Sequence, residues 1–227
     1  MLRAIIFDFD GVLADDERLH LESFQRAFGE CGVSLDELVY YERYLGFDDR
    51  ECVRQVMSDQ GRLAPDPVID ALVARKGCAF MEAIERGVPL FPGVPEFVRR
   101  AAARFPLAIA SGALRHEIDT ILVAAGLRDY FESIASADDI AVGKPDPAVF
   151  HLALARLNKA VAGQPIAPQE CVVIEDSVAG VEGARRAGMS CVAVTNSFGA
   201  DDLGRADLVV SSLEGLELSA LEELFDK

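Results

Sequence analysis

The chain has 227 residues, of which 51% are hydrophobic, and its formal net charge at pH 7 is −16. This charge argues against a nucleic-acid partner and against an anionic membrane surface, because both attract basic proteins. The longest apolar runs are much shorter than the ~20 residues that a membrane-spanning helix needs. The first residues contain no hydrophobic leader, so we expect a cytoplasmic protein.

Short apolar runs alternate with amphipathic segments along most of the chain, a pattern typical of parallel strands joined by helices. The first run, AIIF, lies between Arg3 and Asp8. Further strands are predicted at residues 107–111, 133–137, 171–175, 191–195 and 208–211. The pattern therefore predicts an α/β fold, with a Rossmann-like parallel sheet and helices on both faces. Cys171 and Cys191 begin two of these strands, where we expect small core residues.

The stretch between the first two predicted strands does not follow this alternation. Helical periodicity is found there at residues 19–28, 35–44, 51–57 and 68–84, without a convincing β-branched strand. A dense group of helix-breaking residues ends the stretch at residues 88–95. We therefore predict an all-helical cap domain at residues 15–92, inserted into an α/β catalytic core that consists of residues 1–14 and 93–227.

Polar side chains follow four of the predicted strands, at or shortly after the point where each strand ends. They are Asp8, Asp10, Ser111, Lys144, Glu175 and Asp176. Taken alone, Asp10 fits a turn, Ser111 and Asp176 fit helix N-caps, and Lys144 fits a solvated surface. However, the carboxyl ends of parallel strands share one edge, where open sheets bind their ligands. The joint position of these residues at that edge favours a functional site.

This set of side chains suits phosphoryl transfer. Carboxylate oxygens are the ligands that Mg²⁺ prefers, whereas zinc prefers nitrogen and sulfur. One carboxylate can attack phosphorus, and a second can protonate the leaving oxygen and then activate water. A lysine and a serine hydroxyl can neutralise the phosphoryl oxygens. Mg²⁺ and one lysine would then provide the local positive charge that an anionic substrate needs in an acidic protein.

Four motifs, in order along the chain, resemble those of the haloacid dehalogenase-like hydrolase superfamily, in the branch with an inserted helical cap. They are DFDGV from Asp8, ASG from Ala110, GKPDP from Gly143 and IEDS from Ile174. The first motif is specific, and the second is weak on its own. The order and spacing of the four cover the whole chain.

The resemblance implies a role for each motif residue. Asp8 is expected to be the nucleophile and Asp10 the general acid/base. Mg²⁺ is expected to be held by the Asp8 side chain, the Asp10 backbone carbonyl and Asp176, with Glu175 supporting the site without being a direct ligand. The phosphoryl group is expected to bind Ser111, Gly112 and Lys144. The true dehalogenases lack the second aspartate and need no metal, so the presence of Asp10 favours phosphate esters over carbon–halogen bonds.

The same branch contains sugar-phosphate and glycolate-type phosphatases and β-phosphoglucomutase-like proteins. His20 and Lys76 resemble a histidine and a lysine found in the caps of both kinds, so they do not separate the two. Arg50 is a further candidate for binding the substrate, through a second anionic group.

Three departures favour a phosphatase. Mutase-like caps have an arginine three residues after a glycine, whereas here Asp49 follows Gly46 at that distance. The serine of the second motif is followed here by GALR in place of the mutase-like pattern x-Ser-Lys-Asn. Asp16 stands where the branch has serine or threonine. We therefore expect a Mg²⁺-dependent phosphatase that acts through an aspartyl phosphate, and a phosphosugar mutase is the alternative.

A non-catalytic signalling module that carries a phospho-aspartate is a remote alternative. Receiver-type domains also use an aspartyl phosphate, acidic metal ligands and a lysine on a parallel sheet. They are about half as long and have no helical insertion. The expected partner is a small phosphorylated metabolite, with no nucleic acid and no membrane, and the expected assembly is a monomer or a dimer.

Overall fold

A computed structural model describes residues 1–226 of the chain. The described residues form six strands: β1 Ala4–Phe7, β2 Leu107–Ala110, β3 Ser133–Ala135, β4 Cys171–Glu175, β5 Ser190–Val194 and β6 Leu208–Val210. All of them pair in parallel in one sheet, in the order β3-β2-β1-β4-β5-β6. The predicted α/β class and parallel sheet are confirmed.

β1 occupies the interior of the sheet, between β2 and β4. All four of its residues are buried, and Phe7 lies opposite Ile109 on one side and Ile174 on the other. From β1, the next two strands are added on one side of the sheet and β4 to β6 on the other. Between β1 and β4, where the order switches sides, a crevice for ligands opens beyond the carboxyl ends of the strands. The loops that follow β1, β2 and β4 therefore meet at the centre of this edge.

Nine α-helices are found in residues 1–226. They are α1 Glu17–Gly29, α2 Glu37–Arg43, α3 Asp49–Asp59, α4 Asp66–Ile84, α5 Val94–Ala102, α6 Arg115–Ala124, α7 Ala148–Ala160, α8 Val178–Arg186 and α9 Leu218–Glu222. The periodicity in the sequence did not reveal α5, because Pro92, Gly93 and Pro95 surround its start. Gly93 takes a positive φ of 80° before the helix, and Pro95 falls in its first turn, where a proline costs no hydrogen bond.

Alternate residues of the strands face opposite sides of the sheet. On one side, Ala4 and Ile6 belong to a core with Phe150 of α7 and Val181 of α8. On the other side, the ring of Phe7 meets Phe97 of α5 edge-on, with 6.1 Å between ring centroids. Helices therefore cover both faces, as the sequence predicts.

The chain divides into two compact units. One contains Met1–Asp15 and the chain from Pro89 onwards, and carries the sheet. The other is Asp16–Val88, which contains α1 to α4 around a core of its own that includes Phe24, Phe28 and Val53. The predicted boundaries fell after residue 14 and after residue 92.

The second boundary lies before Pro89, which is earlier than predicted, because the returning chain pairs with the chain that leaves β1. Ala14 forms an antiparallel bridge with Leu90, and the Phe91 amide donates to the Leu13 carbonyl at 3.1 Å. The Asp15 amide donates to the Pro89 carbonyl at 2.9 Å. These backbone bonds place residues 89–92 with the sheet-bearing unit, although their prolines mark the segment as a linker.

No helix among the described residues is both long and apolar enough to cross a membrane. Cys52, Cys171 and Cys191 are buried, and Cys31 and Cys78 are exposed, all as free thiols. Cys171 and Cys191 lie within the sheet core, as expected for small apolar residues.

Candidate active site

The loop after β1 is a tight turn that carries Asp8 and Asp10. The Asp8 amide donates to the Ile174 carbonyl at 2.9 Å, which continues the pairing with β4 by one residue. Gly11 follows with a φ of 73°, a conformation that residues with a Cβ rarely adopt. A Cβ at Gly11 would lie 1.9 Å from Asp176 Oδ2. The glycine therefore allows the loops after β1 and β4 to meet.

Lys144 joins two carboxylates at this edge. Its Nζ lies 2.8 Å from Asp8 Oδ1 and 2.6 Å from Glu175 Oε1, and the side chain is 11% exposed. The ammonium also lies over the ring of Phe150, 5.2 Å from the centroid. A solvated surface lysine would have none of these contacts. Lys144 is therefore held in place by charge and by packing.

Glu175 is fully buried at the end of β4. Its Oε2 accepts bonds from the Asp176 amide, the Ser177 amide and the Ser177 hydroxyl, at 3.1, 3.3 and 3.1 Å. Gly180 makes room for it, because a Cβ at this position would lie 1.9–2.0 Å from the Glu175 carboxylate. Ser177, rather than Asp176, caps α8 by accepting from the Gly180 amide at 3.0 Å. The Asp176 side chain is therefore not engaged in capping.

Asp8, Glu175 and Asp176 form a group of three buried carboxylates, with one oxygen from each lying within 4.8 Å of the others. Burial and the Glu175 charge raise the pKa of Asp8 to about 7, against the opposing effect of Lys144. Burial and the charges of Glu175 and Asp8 raise the pKa of Asp176 well above its usual range. Burial alone would lower the pKa of Lys144, but Asp8 and Glu175 raise it, so the ammonium keeps its proton.

These carboxylates fit a divalent cation. Three buried carboxylates beside one ammonium leave excess negative charge, which a dication would compensate. Their donors are all oxygen, which is the chemistry of Mg²⁺ sites rather than of zinc sites. The Asp10 side chain is not a member of this group of three.

Ser111 follows β2 and is completely buried. Its hydroxyl accepts from the Ala113 amide at 2.9 Å. The N-cap of α6 is Leu114, so the helix-capping explanation for Ser111 does not hold. Because β1 and β2 are paired neighbours, Ser111 follows β2 at the same edge of the sheet as the loop after β1 that carries the two aspartates. Gly112 comes next and is exposed.

Two further polar residues reach these loops, and the sequence interpretation missed them. The Asn196 Nδ2 donates to the Gly11 carbonyl at 2.7 Å, and the Ser197 hydroxyl donates to Asp176 Oδ2. Both follow β5, whose end lies on the same edge of the sheet as the other site residues. The rule that drew attention to Ser111 and Asp176, a polar side chain just past a predicted strand, applies to them as well.

In the helical unit, Lys76 is buried and fully engaged. Its side chain is 2% exposed, and its Nζ lies 2.8 and 3.0 Å from the two carboxylate oxygens of Asp49 and 2.8 Å from His20 Nδ1. The rings of Phe24 and Phe80 lie within 5.1 Å of the ammonium. Burial and the Lys76 charge hold the pKa of His20 well below its usual range.

Arg50 lies apart from this cluster. It pairs with Asp66 at 3.3 Å and with Asp70, and all three side chains are largely exposed. The helical unit therefore brings His20 and Lys76 together, adds Asp49 to them, and leaves Arg50 on its surface.

Comparison with known proteins extends these observations. A family model described as haloacid dehalogenase-like hydrolase matches residues 5–194. Protein CbbY of Rhodobacter capsulatus is 32% identical over 233 residues, covering 98% of this chain and 99% of CbbY. A phosphorylated carbohydrates phosphatase of Thermotoga maritima is 32% identical over 192 residues, covering 83% and 82%. The crystal structure of CbbY from Rhodobacter sphaeroides in complex with phosphate gives a TM-score of 0.84 at 28% identity, covering 98% and 100%.

Proposed function

Because this chain belongs to the haloacid dehalogenase-like hydrolase family, we propose that it is a Mg²⁺-dependent phosphatase of a small phosphorylated metabolite. A sugar phosphate or a similar phosphomonoester is the proposed substrate class. The observation that carries the proposal is the contact of Lys144 with both Asp8 and Glu175, beside the carboxylate of Asp176. The name of the Thermotoga maritima relative, a phosphatase of phosphorylated carbohydrates, supports the same substrate class.

Asp8 is the proposed nucleophile. Its Oδ1 accepts from the Phe9 amide at 2.7 Å and contacts Lys144 at 2.8 Å, so the position of this oxygen is fixed before substrate binds. A carboxylate oxygen forms a bond to phosphorus while the bond between phosphorus and the alcohol oxygen breaks. Asp10 gives its proton to that leaving oxygen, and the product is an aspartyl phosphate and a free alcohol.

The second half of the reaction restores the enzyme. Asp10, now ionised, takes a proton from water, whose oxygen attacks the phosphorus and releases Asp8 and inorganic phosphate. Lys144 and the Ser111 hydroxyl bind the phosphoryl oxygens in both halves. Mg²⁺, held by the Asp8 side chain, the Asp10 backbone carbonyl and Asp176, would supply positive charge to the transferring phosphoryl group.

A phosphosugar mutase is the competing activity. In the helical unit, the charge of Lys76 is already compensated by Asp49, which stands where mutase-like caps have an arginine. This contact supports a phosphatase, because a bisphosphorylated mutase intermediate needs cations for its second phosphate.

The decisive experiment is a phosphate-release screen with Mg²⁺ over sugar phosphates, phosphoglycolate and nucleotides, run beside a mutase assay. We expect steady phosphate release over many turnovers from at least one sugar phosphate, and none after chelation of the metal. Conversion of β-glucose 1-phosphate to glucose 6-phosphate faster than phosphate release would establish the mutase instead. A single burst of phosphorylation without turnover would indicate the signalling module.

A further inference from the structure

We infer that Ser197 and Asn196, on the loop after β5, are positioning residues that set the affinity of the site for Mg²⁺. The inference rests on the proposed function, since it assumes the metal ligands named there. Ser197 acts on the side chain of Asp176, and Asn196 acts on the backbone that presents the Asp10 carbonyl. Neither residue belongs to the four motifs in the sequence.

Asp176 needs an anchor because its neighbours repel it. Its carboxylate is buried, and one of its oxygens lies within 4.8 Å of oxygens of Asp8 and Glu175, which are also buried acidic groups. The Ser197 hydroxyl donates to Oδ2 of Asp176 and so fixes one oxygen of this carboxylate. The other oxygen is then the proposed donor to the cation. Hydrogen-bonding partners of this kind orient metal ligands, and their loss typically weakens metal binding by about 10–100-fold.

The Asp10 carbonyl is oriented by bonds on the following residue. The Gly11 amide donates to the Ala14 carbonyl at 3.0 Å, and the N–H and C=O of a trans peptide point in opposite directions. The direction of the Asp10 carbonyl is therefore set by the conformation at Gly11. Asn196 holds the next peptide by donating to the Gly11 carbonyl at 2.7 Å. Since glycine has no side chain to restrict it, this bond limits a turn that would otherwise be loose.

The two bonds act together because three loops converge on Gly11. A Cβ on this residue would lie 1.9 Å from Asp176 Oδ2 and 2.9 Å from Ser197 Oγ. The loop after β5 thus contacts the loops after β1 and β4, each of which carries a proposed metal ligand. Asn196 contacts the loop after β1, and the adjacent Ser197 contacts the loop after β4. The loop after β5 therefore fixes the distance between the proposed metal ligands on those two loops.

The test is a calorimetric titration of the full chain with Mg²⁺, without substrate. We expect Ser197→Ala to weaken Mg²⁺ binding roughly tenfold or more, and Asn196→Ala to weaken it in the same direction. Ser197→Thr keeps the hydroxyl and should restore most of the affinity. Ser211→Ala is the matched control, because Ser211 is exposed and directly follows the neighbouring strand β6. It should bind Mg²⁺ as the unaltered chain does.

The outcomes separate this inference from the proposed function. Failure of the unaltered chain to bind Mg²⁺ contradicts the proposed function. Unchanged affinity in both Ser197→Ala and Asn196→Ala, with normal binding by the unaltered chain, overturns the inference alone. Thermal unfolding in a chelator identifies a variant that is not folded, and the other variant then decides. In steady-state kinetics, the Mg²⁺ concentration needed for half-maximal rate should rise, while the KM for substrate at saturating Mg²⁺ should not.

Discussion

Asp8 balances opposing influences within a few ångströms. Burial and Glu175 disfavour its charged form, whereas Lys144 and the Phe9 amide favour it, and the resulting pKa is about 7. A carboxyl group with a pKa near 7 loses its proton readily when a cation approaches, and the ionised form can act as a nucleophile. On the proposed function, Asp8 would therefore attack most readily once a cation is bound at the site.

Asp8→Asn tests the nucleophile directly. The amide has nearly the same shape but cannot form an acyl phosphate, so we expect phosphate release to fall by about 10⁴-fold or more. Circular dichroism should show an unchanged fold. Asp201→Asn, at an exposed position, should keep full activity. Activity of Asp8→Asn within tenfold of the unaltered chain would assign the nucleophile to another residue.

One geometric rule, that polar side chains past parallel strands share an edge, predicted which side chains would lie close together at the candidate site. Asp8, Glu175 and Asp176 come together in the structure, with Lys144 bonded to two of them. Asn196 was overlooked, because asparagine and serine after a strand are also ordinary turn residues. The Lys76–Asp49 contact was not foreseen either, since it joins different helices and depends on which faces they turn toward each other.

At the level of elements, the strands were predictable and some helix starts were not. Each of the six strands begins and ends within two residues of its predicted position, because buried parallel strands are continuous apolar runs. α5 escaped because the glycine and prolines that begin it also read as a loop. The spacing of apolar residues alone does not distinguish the start of a helix from a linker when glycine and proline fall in the first turn.

Replacing a glycine with alanine should change the free energy of unfolding in opposite directions in α8 and in α4. A Cβ at Gly180 would overlap the Glu175 carboxylate, so Gly180→Ala should lower the free energy of unfolding by about 1–3 kcal/mol and weaken Mg²⁺ binding. A Cβ at Gly77 meets nothing within 4 Å. Gly77→Ala should therefore raise the free energy of unfolding by about 0.5–1 kcal/mol, as in an open helix interior. Urea unfolding measures both, and equal effects would contradict the steric argument.

The buried Lys76 of α4 and its partner Asp49 allow a second prediction about stability. Asp49→Asn leaves the Lys76 ammonium buried without its counter-ion, whereas Lys76→Met removes the charge and keeps the packing on Phe24 and Phe80. We expect Asp49→Asn to be the more destabilising of the two. The carboxylate of Asp49 is 34% exposed, so the loss should stay below the ~3–5 kcal/mol typical of fully buried pairs.

A surface ion pair between the same two helices, α3 and α4, provides the control for that comparison. Asp70→Asn removes a partner of Arg50 where both side chains are largely exposed, and it should change the free energy of unfolding by less than about 1 kcal/mol. The three variants are compared by urea unfolding in one buffer. If Lys76→Met were less stable than Asp49→Asn, the contacts of Lys76 would contribute more to the free energy of unfolding than the burial of its charge takes away.

In the whole molecule, the buried carboxylates make the stability of the fold depend on pH and on metal binding. Asp8 has a folded pKa of about 7, above its usual value of 3.8, and the pKa of Asp176 is raised as well. The folded state therefore binds more protons than the unfolded state between these values, so the metal-free protein should lose stability as pH rises from about 4 to about 7. Mg²⁺ bound at the proposed site would favour the ionised carboxylates and so oppose that loss of stability.

We accordingly expect Mg²⁺ to raise the Tm more at about pH 8 than at about pH 5.5, where protons compete for the site. Differential scanning fluorimetry with excess Mg²⁺ or a chelator measures this difference. Sodium chloride at equal ionic strength is the control, because a chain of net charge −16 also gains stability from general screening. An equal effect of the two salts at both pH values would contradict a specific site.

The paired backbone at Ala14 and Leu90 has a consequence for how this architecture can change. The chain leaves the sheet-bearing unit and returns to it at adjacent points, so for that unit the whole of Asp16–Val88 is equivalent to one surface loop. The entropy of closing a loop grows only with the logarithm of its length, so doubling the insert adds only about 0.6 kcal/mol. Helical modules of other sizes could therefore be inserted at this junction at little entropic cost to the sheet-bearing unit.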